Sequence, residues 1–276
     1  MAKIFRKNRQ RFLTEKRIKK YLTYAVGEII LVVIGILVAL QINSISEDRQ
    51  RAKLEKILLQ QVKFEIQEVY EDVWRDAAKL KMGFNSHYEI IDVIEKDQPY
   101  TDSLCFDFYL IKMDEYIFPT NAAYTRLTEE GLDIIQNDTI RMALQALYEG
   151  NFPRLTANKS FVPDISEVLD DYYLQAFRPN TDMDLRFSAE LVNDTVGTRV
   201  YSDEHYVFPI VDDSYGKEYT VGYVPLQFEA LKKDPKFHML LAQTRRYRKI
   251  KMLRYDSVKS IIKNVVKIID RELAKK

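Results

Sequence analysis

Between Tyr21 and Ile45 the chain reads YLTYAVGEIILVVIGILVALQINSI, and the residues before it are strongly basic. The strictly apolar run, Ile29 to Leu40, makes only about 18 Å of α-helix. Extended from Tyr21 to Ile45, with Glu28 and Gln41 near its two ends, the segment reaches about 25 residues and crosses a roughly 30 Å hydrocarbon layer with room to tilt. A transmembrane helix is expected. A cleaved signal peptide shares the basic front and apolar middle, but no A-x-A site follows Leu40, the nearest substitute being Ser44-Ile45-Ser46. The core helix of a soluble protein is the third reading, and the basic flank argues against it.

Charge gives the direction. Lys3, Arg6, Lys7, Arg9, Arg11, Lys16, Arg17, Lys19 and Lys20 precede the span against Glu15 alone, and positive residues beside a first span stay cytoplasmic. The expected layout is a basic cytoplasmic tail over 1–20, a transmembrane helix over 21–45 and an exported domain over 46–276. That places the chain in the inner (cytoplasmic) membrane, with its C-terminal domain periplasmic or otherwise extracytoplasmic. The tail also suits anionic headgroups, and it is too short, beside a membrane, to suggest nucleic acid.

Glu28 lies inside the apolar stretch. Its plain reading is proximity to the inner interface, with the Tyr24 hydroxyl four residues back. The functional reading is pairing with a polar group on another helix, the default suspicion for an ionisable residue in a span. Gly35-x-x-x-Ala39 adds a small-residue face for close helix approach, and Glu28, Gly35 and Ile42 recur every seven residues. The expected partners are the lipid bilayer and, through this face, a second copy or another membrane protein.

Tyr24 to Asn43, YAVGEIILVVIGILVALQIN, resembles the opening of an uncharacterised family of single-span proteins common in Bacteroidota, which carry a YAxGEIxLVxxGILxALQIN motif after a basic tail. A looser likeness runs from Ala123-Tyr124-Thr125-Arg126-Leu127 through Gly131-Leu132-Asp133-Ile134-Ile135 to Arg141 and Tyr148. The family usually continues with Asn and Trp after the span, where this chain has Ser44-Ile45-Ser46. The resemblance implies single-span topology and no particular activity.

The 230 or so residues after the span are ample for one core. With only 8 Gly, 8 Pro and 30% charged residues, composition favours a mainly all-α fold. Leu58, Val62, Ile66, Val69, Val73, Ala77, Leu80, Phe84, Tyr88, Ile91 and Ile94 make a long helical stripe. No Pro intervenes before Pro99, so the transmembrane helix is expected to continue into the first helix of an exported bundle. Further helices are expected from about Ser103, after Thr120 or Asn121 as far as Gly131, after Asn137 or Asp138, from Asp164 to Pro179, and from Pro235 to Leu273. Pro153 and Pro163 break the run between them. Near 180–225 the pattern changes to alternation, giving a small hairpin or a long ordered loop, and this is the first choice for an interaction surface.

Residues 236–276 hold thirteen Lys or Arg against three acids, whereas 46–235 hold twenty against thirty-six. A cationic helix packed on acidic ones explains this; a surface for anionic lipid, glycan or partner is the sharper alternative.

Chemical motifs are sparse. His87, His205 and His238 are dispersed, and no HExxH, phosphate loop, G-x-S-x-G or CxxC occurs. His205, beside Asp203 and Glu204, is the best placed of the three for a general base or a metal. Cys105, the sole cysteine, can form no internal disulfide. The adjacent acidic pairs Glu129-Glu130, Asp170-Asp171 and Asp212-Asp213 point about 100° apart on a helix, which suits solvated faces. No catalytic residue, metal or cofactor is assigned. The expected function is that of a membrane-anchored helical scaffold or accessory subunit working through protein contacts. A sensor-like module coupled through the span and a membrane-anchored hydrolase stand behind it.

Overall fold

The computed structural model describes the backbone of residues 2–182 and 222–275 and of six short strands between them, with side chains over 24–157, 159–182 and 222–275. By contact the chain divides into residues 1–55 and residues 56–276. Helix α1, Ala2–Glu95, contributes to both.

In the first unit every residue from Tyr24 to Gln50 is exposed. An 18-residue window of α1 has mean hydropathy 2.6, and none of it is buried within the protein. By length and composition this stretch is long and apolar enough to cross a membrane, and no described residue buries it.

The second unit is a helical bundle: the remainder of α1, then α2 (Leu104–Lys112), α3 (Ala122–Glu130), α4 (Asp138–Gln145), α5 (Ile165–Ala176), α6 (Phe228–Leu231) and α7 (Pro235–Leu273). The stops and starts follow local chemistry. Gly131 ends α3 at φ 94°, in the left-handed region. Asn137 accepts the Thr139 N–H and opens α4, and Asp164 accepts the Glu167 N–H ahead of α5. Asp234 caps α7 through the Lys236 N–H, with Pro235 in its first turn. Pro153 falls in a 3₁₀ turn, Phe152–Leu155, directly after a π-helical turn, Ala146–Asn151.

Around 180–225 the alternation yields short antiparallel pairs. Strand β1 (Phe177–Pro179) pairs with β8 (Tyr223–Pro225) at the base of the excursion. Within it, β2 (Ser188–Leu191) pairs with β5 (Glu204–Val207) around the β3–β4 hairpin (Thr195–Val196, Arg199–Val200), and β6 (Val211–Asp212) pairs with β7 (Glu218–Tyr219). Gly222, φ 135°, seals the base: a Cβ there would lie 3.0 Å from both Asn180 Cβ and the buried Cys105 Sγ.

The core has an aromatic centre. Tyr173 stacks on Phe177 at 4.3 Å and donates its hydroxyl to the Phe108 carbonyl at 2.7 Å, while Phe237 stacks on Tyr172. Along α1 the buried stripe runs through Leu58, Val62, Ile66, Val69, Val73 and Leu80 as expected. Beyond Leu80 it turns onto Gly83, His87 and Ile90, leaving Tyr88 half exposed. The reason is close approach. A Cβ on Gly83 would stand 2.5 Å from the Leu110 carbonyl and 2.6 Å from Arg248 Nη1, so only glycine lets these groups lie on α1.

Candidate functional site

Two clefts flank α3. The larger, about 780 Å³, is lined by Ile57, Gln60, Gln61, Phe64, Glu65 and Glu68 of α1 and by Thr120, Ala122, Ala123 and Arg126. Phe64 is 57% exposed in it. The second, about 610 Å³, is lined by Tyr124, Thr125 and Thr128 of α3 together with Tyr148, Glu149, Phe152 and Lys159.

The wall between them is built by a carboxylate. Asn121 precedes α3 but makes no side-chain cap; instead Glu65, from α1, accepts the Ala123 N–H at 2.8 Å. It therefore supplies the negative charge that a helix N-terminus favours. Its other oxygen accepts the Tyr148 hydroxyl at 2.5 Å, and Tyr148 stacks on Tyr124 at 4.2 Å with planes 2° apart. Tyr124 in turn donates to Glu149 at 2.9 Å. Burial and these carboxylates raise both phenols, so they stay protonated as donors. The result is a rigid edge beside an apolar floor with amides and one guanidinium at the rim. It can receive an apolar side chain or helix face from a partner.

A buried ionic joint lies deeper in the bundle. Asp114, in the link after α2, accepts the Ile165 N–H of α5 at 2.8 Å, the Glu115 N–H at 2.9 Å and the Tyr116 hydroxyl at 3.3 Å, and pairs with Lys251 of α7. Lys251 also sits 3.9 Å over the Tyr116 ring. One turn earlier Arg248, wholly buried, donates to the carbonyls of Ile111 and Met113, capping the C-terminal end of α2. Burial lowers Arg248 to about 10, which keeps it charged. Beside it His87 donates Nδ1–H to the Gly83 carbonyl at 2.7 Å, and its Nε2 meets the Thr244 hydroxyl at 3.1 Å. Burial first, and then Arg248, depress His87 to about 3, so the ring is neutral.

Asp76 and Glu115 face each other in the same joint, with Lys79 3.3 Å from Glu115 and 4.0 Å from Asp76. Burial raises both carboxyls, with the Glu115 charge adding to the rise of Asp76 and the Asp114 charge to that of Glu115, so the pair retains one proton. The joint ties α1, the α2–α3 link, α5 and α7 together and serves architecture.

Glu28, Gly35 and Ala39 all stand exposed on α1, and among the described residues nothing lies within 4 Å of a Cβ placed on Gly35. The tail residues Arg6, Lys7, Arg9, Arg11, Lys16, Arg17, Lys19 and Lys20 are helical in backbone; their side chains lie outside the described residues. The same holds for Glu204 and His205 in β5, where His205 registers against Glu190, while Asp203 is outside the description altogether. His238 donates from Nε2 to the Lys232 carbonyl at 2.7 Å. Among the described residues no group of three His, Cys, Asp or Glu side chains is placed to hold a metal.

The clefts and the joint are not visible in local motifs. On α7 the buried face is Phe237, Leu241, Thr244, Arg248, Lys251, Tyr255, Val258 and Ile262, a regular three-four spacing hidden because three of its first five members are polar. Spacing alone, scored without regard to polarity, would have found it.

No protein-family model, curated protein or solved structure matches the chain.

Proposed function

We propose that this chain is a single-pass membrane protein whose N-terminus is cytoplasmic and whose helical domain acts outside the cytoplasm through protein contacts. One observation carries the anchoring: a helix window of mean hydropathy 2.6 without a single buried residue. Apolar area left in water costs roughly 25 cal/mol per Å², and lipid removes that cost. The likeness of Tyr24–Asn43 to the single-span family of Bacteroidota agrees with this reading, and membership is proposed with it.

The contact site proposed is the larger cleft beside α3, because it combines an exposed Phe64 with a wall fixed by Glu65, Tyr148 and Tyr124. A photo-crosslinking residue at Phe64 is expected to give a discrete protein adduct in cells, while the same residue at Leu174, 83% exposed on α5, gives none. Equal yields at the two positions would overturn the assignment.

A further inference from the structure

Between Lys236 and Tyr255, α7 carries seven basic residues and no acid. Four are already engaged: Arg248 on the α2 carbonyls, Lys251 on Asp114, Lys236 over the Tyr172 ring and Arg254 over Phe161. The other three, Arg245, Arg246 and Lys249, converge on one cleft of about 510 Å³ whose remaining walls include Phe84, Tyr88 and Ala242. Among the described residues none of the three has a carboxylate partner.

Two of the cations are held in place by rings rather than by described carboxylates. Arg245 lies 5.6 Å over the Tyr88 ring and Lys249 5.9 Å over Phe84, and the two rings meet edge to face at 5.2 Å. Cation–π contacts orient a charge and leave its hydrogen-bond donors free. Phe84 and Tyr88 continue the apolar spacing of α1, yet the buried stripe has turned away to Gly83 and His87. Two aromatic residues thus line a concave surface with three positive charges that no described carboxylate pairs, in a volume suited to a small molecule.

We propose that this cleft binds an acidic saccharide. The carboxylates or other anionic substituents of the sugar meet Arg245, Arg246 and Lys249, while the C–H groups of a pyranose ring pack against the apolar lining of the cleft, the ring edges of Phe84 and Tyr88 together with Ala242. A purely anionic ligand would need no aromatic floor, and a neutral sugar no cluster of cations. The site is separate from the cleft beside α3 and stands whether or not that one binds protein.

The test is titration of the full chain, in a detergent free of sugar headgroups, with tetragalacturonate, a neutral maltotetraose and anionic phosphatidylglycerol vesicles. Saturable, salt-sensitive binding of tetragalacturonate is expected, with none of maltotetraose. Arg245→Gln with Lys249→Gln should weaken it about tenfold or more, the loss of two charge-assisted contacts. Tyr88→Leu should weaken it several-fold while leaving all charges in place. Because these side chains are at the surface, circular dichroism should be unchanged. Absence of tetragalacturonate binding would overturn the proposal. So would binding that ignores Tyr88→Leu, or vesicle binding that depends on the same two cations, because either marks a generic basic face.

Discussion

Asp114→Ala is expected to cost the helical domain about 3–5 kcal/mol, the range for removing one member of a buried ion pair. The Lys251 and Asp114 side chains are 4% and 1% exposed, so without Asp114 the ammonium remains in the core with no counter-charge. Three further donors, the Ile165 and Glu115 N–H groups and the Tyr116 hydroxyl, lose their acceptor as well. Because the damage comes largely from the stranded charge, adding Lys251→Met should recover part of the loss, and a double-mutant cycle should show strong coupling. Denaturant midpoints would measure it. A single-mutant loss below about 1 kcal/mol, the level of an exposed pair, would mean that the joint does not hold these helices together.

The second large effect is on pH dependence. The Asp76–Glu115 pair keeps a proton in the folded protein that the unfolded chain releases near the ordinary carboxylate value of about 4. Above that value the folded state binds more protons than the unfolded. Stability from this pair is therefore full in acid and falls as pH rises through neutrality, by up to about 1.4 kcal/mol per pH unit while one proton is at stake. His87 acts in the opposite sense. Its folded value of about 3 lies below the unfolded value, so its contribution is present above about pH 6.5 and fades as pH falls. Stability should peak in mildly acidic solution. Asp76→Asn should flatten the decline toward alkaline pH and leave the acid limb intact. An unchanged alkaline slope would show that Asp76 does not hold the proton.

The helical class and most helix ends could be read from the sequence because they rest on local chemistry: Asn137, Asp164, Asp234 and Gly131 act on the two or three residues beside them. The first half of the α1 stripe was legible for the same reason. Its second half was not, because Phe84 and Tyr88 fit the apolar spacing better than Gly83 and His87 do. What decides burial there is the Leu110 carbonyl and Arg248, 27 and 165 residues away. The carboxyl pair was hidden likewise. Adjacent acids such as Asp170-Asp171 catch the eye, whereas Asp76 and Glu115 meet only after α1 and the α2–α3 link pack together. The excess of basic residues in α7 was plain in the sequence, but its division into buried and free cations depends on tertiary structure. The apolar stretch was the clearest feature of all, and Glu28 and Gly35 stand exposed on it.

Anchoring and direction are tested most directly by labelling with a membrane-impermeant maleimide. Cys105 gives a silent background, since it is wholly buried and burial pushes its thiol up to about 12. Single cysteines can then be introduced by Met142→Cys, at a position 69% exposed on α4, and by Lys7→Cys in the basic tail. In cells whose outer barrier has been opened but whose inner membrane is intact, the Met142→Cys protein should label at once and the Lys7→Cys protein only after lysis. Both should remain in carbonate-washed membranes. Labelling in the reverse order, or release of the chain by carbonate, would contradict a cytoplasmic tail, a single span and an exported helical domain.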